Sequence, residues 1–306
     1  MQTPSRARKR ILPARRIRPK TLVLGLTLTK SACLLFLVAG CPGFARVAAE
    51  VVLTPEEEVA LGRELAREVE ARFDFHPDLV VQRYVQDLGE MLVRASGEPR
   101  PEVPWSFKVI DDPDQVNAMA LPGGWIYIFS GLMLLVESES EISGVLAHEI
   151  AHVNERHIAQ RLATIYGIEV LAAVALGRDP GTLERIIATI MAQGYLLNYS
   201  RAQEREADAL AVDYTINAGW DPRGLADFFE HLTETPRPPT WLATHPSPED
   251  RIANVHELLA GRTIPTRTGR ERYAIIRNRV AATAVPEAER RPPKPHSEGR
   301  GLHRCR

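Results

Sequence analysis

The stretch His148-Glu149-Ile150-Ala151-His152 sets two histidines four residues apart with a glutamate beside the first. On a helix, positions four apart share a face, so both imidazoles can hold one cation. Glu149 then lies a step round the helix, within reach of a water at that cation. The chemistry this supports is hydrolysis by an activated water, with Glu149 moving the proton. Ile142, Val145, Leu146 and Ala147 precede the motif, so the helix is at least partly buried, where a histidine pair and a carboxylate need partners.

A catalytic metal usually takes three protein ligands and keeps one position open. Cysteine cannot supply the third. Cys33 and Cys41 fall in the N-terminal segment and Cys305 in the tail, so His, Asp or Glu must serve. His157 is five residues past His152, well round a continuous helix from the ligand face. The segment Ser200-Arg201-Ala202-Gln203-Glu204-Arg205-Glu206-Ala207-Asp208 offers Glu204 and Asp208 on one helical face. That spacing suits a metal ligand with a second carboxylate fixing a histidine tautomer, and equally an ordinary charged helix. Glu206 points elsewhere and reads as solvated.

The elements that must position these residues read as follows. Thr54-Pro55-Glu56-Glu57 announces a helix to about residue 71, with an N-cap threonine, proline at N1 and acidic residues at the positive end. A second helix is expected over 78–94. Residues 105–111 alternate as a half-buried strand does, 115–120 is a second strand, and 125–129 a third beyond the turn at Leu121-Pro122-Gly123-Gly124. Helices are predicted over 138–161 as one long element, then over 162–176, 183–197, 200–218, 222–233 and 248–260. The apolar pair at 162–197 is too short, and too interrupted by Glu169 and Arg185, to span a bilayer. It reads as buried or lid-forming. Residues 263–285 leave room for one more helix over 270–282, and 286–306, rich in Pro and charge, reads as disordered.

Composition is globular, with 44% hydrophobic and 25% charged residues among 306. The net charge of -1 hides an asymmetry, because the first 41 positions are basic and carry no Asp or Glu. The remainder is acidic by roughly ten charges, which argues against a nucleic-acid surface. Residues 1–40 read as a signal segment. Its apolar run closes on Val38-Ala39-Gly40-Cys41, which resembles a bacterial lipobox, so Cys41 is the expected lipid attachment point and 41–53 a tether. A plain secretory signal or a single membrane anchor are the alternatives.

Taken together, the HExxH helix, the downstream SRxxExxAD segment, Asn117-Ala118-Met119-Ala120-Leu121-Pro122-Gly123-Gly124 and Thr244-His245-Pro246 with Arg251 resemble the HtpX-like and CAAX-prenyl-protease family of gluzincin zinc metallopeptidases. The soluble periplasmic LoiP/BepA-like branch is nearest. The resemblance covers roughly residues 54–259, within a metallopeptidase domain expected over 54–262. It implies an α+β, mostly helical, zincin-like domain with a small antiparallel sheet over the active-site helix. It also implies one Zn²⁺ per chain on His148, His152 and Glu204, with Asp208 behind them. His245 and Arg251 are its candidates for oxyanion stabilisation. A plain turn with Arg251 in a structural ion pair, or His245 as an inhibitory zinc ligand, fits the same residues.

The strand Trp125-Ile126-Tyr127-Ile128 is the expected substrate-binding edge, adding extended polypeptide by backbone bonds. The function these readings imply is a membrane-tethered periplasmic endopeptidase that removes unfolded or misassembled envelope proteins, on the outer membrane more than the inner. The competing expectation is a chaperone or assembly factor working with outer-membrane assembly machinery, its zinc latched or structural. The tetratricopeptide repeats of BepA-like proteins and the transmembrane helices of the integral branch are not seen in this sequence.

Overall fold

The computed structural model describes residues 53–97, 100–193, 199–235, 239–245 and 248–283. The signal segment, Cys41, the tether up to residue 52 and the charged tail therefore lie outside the described residues. Among those described, no single helix is long and apolar enough to cross a membrane.

Helix α1 (Pro55–Arg72) begins at a reciprocal capping box in which the Glu57 amide donates to Thr54 Oγ1 at 3.2 Å and the Thr54 amide to Glu57 Oε2 at 2.9 Å. Helix α2 (Leu79–Ala95) is capped by Asp78, whose Oδ1 accepts from the Val80 amide at 2.8 Å. Strands β1 (Ser106–Ile110), β2 (Ala118–Leu121) and β3 (Trp125–Phe129) follow. Their spatial order is β1-β3-β2, with β1 and β3 parallel and β2 and β3 antiparallel. The sheet is thus mixed, not wholly antiparallel. Alternation in a sequence reports which face a side chain takes, not which strand lies beside it. Gly123 and Gly124, both at positive φ (72° and 91°), close the β2–β3 hairpin, and β3 then slots between its partner and β1. Gly62 lets α1 lie against this turn, since a Cβ there would come within 1.7 Å of the Pro122 carbonyl oxygen.

The short helix α3 (Ser130–Leu135) leads to α4 (Glu139–Asn154), the central element, buried from Glu139 to Val153. It packs on α2, on β2, and on α8 (Arg201–Asn217) and α9 (Gly224–Glu234). The long helix expected over 138–161 is in fact broken. Arg156 adopts the left-handed conformation at φ 57°, ψ 24°, and a new helix, α5 (His157–Tyr166), starts after it. Helices α6 (Ile168–Ala175) and α7 (Pro180–Gln193) form the apolar pair and pack against α1, with Leu171, Val174 and Ile186 buried. The remaining helices are α10 (Trp241–Thr244), α11 (Pro248–Leu259) and α12 (Arg270–Thr283). Helix α12 is fastened across α3, its Tyr273 hydroxyl donating to the Met133 carbonyl and Arg277 Nε to the Leu134 carbonyl, both at 2.8 Å.

Candidate metal centre

Helix α4 carries His148, Glu149 and His152; α8 carries Glu204 and Asp208; the turn after α10 carries His245; and α11 carries Arg251. All seven side chains are buried. One ligand atom from each of His148, His152, Glu204 and His245 lies within 4.8 Å of all the others. His148 Nε2 is 3.0 Å from His152 Nε2 and 3.2 Å from His245 Nδ1, which is 3.0 Å from Glu204 Oε1. Each element arrives by local rules. Ser200 and Gln203 form a second capping box that starts α8, so Glu204 falls in its first turn, and Asp208 follows one turn on.

The outer atoms of the ligands are tied down. His148 Nδ1 is 3.0 Å from Asp208 Oδ1, which fixes the tautomer that leaves Nε2 bare toward the cluster. Arg251 Nε donates to Asp208 Oδ2 at 2.9 Å, and its Nη1 is 2.7 Å from Glu204 Oε2. The guanidinium also lies on the rings of Phe229 and Trp241, at 4.2 and 4.8 Å from their centroids. Its Nε and Nη2 are engaged by Asp208, while Nη1, beside Glu204, makes no hydrogen bond among the described residues.

Burial and charge set the protonation states. Desolvation would raise the Glu204 carboxyl, but His245 and Arg251 outweigh it and hold the group well below the usual carboxylate range. Desolvation pushes His152 well below its ordinary value, so it is a neutral imidazole. Glu149, fully enclosed, is pushed up to about 7 by desolvation, against the lowering effect of His148. Its Oε1 has no hydrogen-bond partner among the described residues, and His245 Nε2 is 3.5 Å away. Three imidazoles and an ionised carboxylate converging on one point, beside an orphaned buried carboxyl oxygen, are a fit donor set for a divalent N/O-binding metal.

A profile of peptidase family M48 matches residues 80–259. The chain belongs to that family. Its M48 relatives include the beta-barrel assembly-enhancing proteases of Yersinia pestis (31% identical over 219 residues, 67% of this chain and 44% of the relative) and Escherichia coli K12 (29% over 212 residues, 65% and 43%). The mitochondrial metalloendopeptidase OMA1 of Schizosaccharomyces pombe is 31% identical over 192 residues, 60% of this chain and 54% of the relative. The match thus spans less than half the length of the bacterial relatives. M48 peptidases are metal-dependent, in accord with the cluster.

Within this M48 domain, the strand Trp125–Phe129 is not the edge expected for substrate. It is the central strand, paired on both sides, and Ile126, Tyr127 and Ile128 are buried. The outer side of β1 is also covered: the amides of Phe107 and Val109 donate to Gln86 Oε1 and Gln82 Oε1, both at 2.9 Å, and Phe75 bridges to Ile110. Strand β2 packs on α4. In the β2–β3 register, with the Phe129 amide donating to the Asn117 carbonyl, the backbone groups of Ala118 and Ala120 point away from β3.

Three aromatic or imidazole contacts escaped the sequence. Trp241 stacks on His245 (centroids 4.3 Å apart, planes 13°), and Tyr199 stacks on His152 (3.8 Å, 24°). His157 stands outside the ligand set, yet its Nδ1 is 3.0 Å from His152 Nδ1. The only available signals were proximity in sequence: Trp241 lies four residues before His245, and Tyr199 directly before the cap of α8.

Proposed function

We propose that this M48 chain is a zinc endopeptidase held at the cell envelope through a lipid on Cys41, where it hydrolyses unfolded or misassembled envelope proteins. The observation that carries the peptidase reading is the Glu149 carboxyl, buried one helical step from the His148, His152 and Glu204 donors with a free oxygen. Metal binding alone does not require such a group. Zinc on those three residues would supply Lewis acidity toward a scissile carbonyl and a water. Glu149 takes the proton from the attacking water and delivers it to the leaving amine. Asp208 and Arg251 hold the ligand side chains in place. The substrate backbone pairs with the outward groups of Ala118 and Ala120 on β2, which replaces β3 in this role and asks little of substrate sequence.

The relatives named as beta-barrel assembly-enhancing proteases support the envelope setting and an outer-membrane assembly machinery as neighbour. Glu149→Gln tests the activity. The variant keeps its zinc and loses about 10²- to 10⁴-fold in cleavage of an unfolded protein; a zinc-loaded variant with undiminished cleavage refutes the peptidase. Mass spectrometry of the mature protein should find acylated Cys41, and an unmodified N-terminus elsewhere refutes the anchor.

A second reading is favoured by one contact. His245 Nδ1 lies among the ligand atoms, 3.2 Å from His148 Nε2, as a latch would. In that form the chain holds polypeptide as a chaperone or assembly factor until the loop carrying His245 leaves.

A further inference from the structure

We propose that His157 is a positioning residue for the metal centre: it links the ligand His152 to the carboxylate of Glu206. This rests on reading the His148, His152 and Glu204 cluster as a metal site. The two ligand histidines of α4 are then fixed in the same way, one directly and one at a remove. His148 donates through Nδ1 to Asp208. Among the described residues, no carboxylate meets His152 Nδ1; it has His157 Nδ1 at 3.0 Å, and His157 Nε2 is in turn 3.3 Å from Glu206 Oε2.

Hydrogen-bond bookkeeping allows one consistent assignment. A carboxylate only accepts, so His157 places its proton on Nε2 and donates to Glu206. Its Nδ1 is then a bare acceptor, which takes the Nδ1 proton of His152. His152 Nε2 is left as a lone pair facing His148 Nε2 at 3.0 Å. The chain selects the ligating tautomer of a metal histidine by way of a neighbour rather than a direct acid.

Backbone geometry supports this assignment. On a continuous helix, a residue five positions on lies about 140° round and faces away. The break at Arg156 cancels that rotation and brings the His157 ring to 5.1 Å from that of His152. A non-glycine residue in the left-handed region is strained, and here it is held by long-range contacts. Arg156 Nε donates to the buried Glu58 at 2.6 Å and Nη2 to the Leu53 carbonyl at 2.7 Å. Gln160 Nε2 caps the Glu155 carbonyl at 3.0 Å and its Oε1 accepts from Gln203 of α8 at 3.3 Å, fixing α5 beside the helix that bears Glu206.

The test is zinc affinity of the purified full chain, measured by competition with a chromogenic chelator, with melting of the metal-free protein followed alongside. His157→Leu should weaken zinc binding by about 10- to 100-fold, the loss typical when a ligand imidazole loses its outer partner. His157→Gln carries an acceptor and a donor at similar separation and should recover most of that loss, which a merely space-filling role does not predict. Glu206→Ala sits at a half-exposed helix position, keeps the fold, and should lose several-fold. Wild-type affinity in His157→Leu, or in Glu206→Ala if the leucine variant does not fold, overturns the relay and leaves the metal centre standing. A glutamine variant as weak as the leucine one also overturns it, and a wild type that takes up no zinc overturns both.

Discussion

His245 can be read as a latch or as a donor to the transition state, and replacing it with alanine separates the two by sign. Two of its contacts favour the closed position. Its ring stacks on Trp241 at 4.3 Å, an aromatic pair worth about 0.5–1.5 kcal/mol. Its Nδ1 meets the ionised Glu204 at 3.0 Å, a buried bond to a charged group worth about 1.5–3 kcal/mol. Release of the side chain returns about 1 kcal/mol of rotamer freedom. The net bias toward the closed form is then about 1–3.5 kcal/mol, or about fivefold to several hundred-fold in population. If His245 is a latch, His245→Ala raises cleavage of an unfolded substrate by a factor in that range while zinc content stays constant. If it donates to the oxyanion, the same variant loses about 10²- to 10³-fold. The assay is the initial rate on a fluorogenic casein at matched zinc occupancy. A fall in rate refutes the latch, and an unchanged rate refutes both roles.

Two further outcomes follow from the same geometry. Asp208→Ala strands the buried Arg251 with one carboxylate instead of two and removes the acceptor from His148 Nδ1; it should cost roughly 3 kcal/mol in urea denaturation of the metal-free protein and about 10- to 100-fold in zinc affinity. Peptide substrates N-methylated at alternate amides should show a raised KM for one phase of methylation and not the other, because only every second backbone group can meet Ala118 and Ala120 of β2; equal KM values for the two phases speak against strand addition.

What the sequence makes legible here is local. The i, i+4 pair of α4, the Glu204 to Asp208 spacing and the capping boxes at Thr54 and Ser200 are rules within one turn of helix, and the structure brings those residues together as the spacing demands. Strand order depends on contacts between segments, and alternation carries no record of it. The three strands were recognisable, but not that β3 would be central. The same limit left Arg251's partners, Asp208 and Glu204, unnamed, since an arginine near a histidine motif looks alike whether it faces substrate or a carboxylate.

The break after α4 shows the limit at its sharpest. Val153-Asn154-Glu155-Arg156-His157-Ile158 contains neither glycine nor proline, and nothing in it forbids a continuing helix. The left-handed Arg156 is stable because Glu58, from α1, binds it together with Arg100, whose Nη2 is 3.0 Å from the same carboxylate. Glu58 is 1% exposed, so removing it leaves two partly buried guanidinium groups sharing one carboxylate fewer, a strong reason for the turn to stay as it is. A residue 98 positions from Arg156 thereby decides where His157 points. His157 was set aside as a ligand for a reason that assumed a helix the chain does not make; the same turn that invalidates the reason places its imidazole against the far nitrogen of His152.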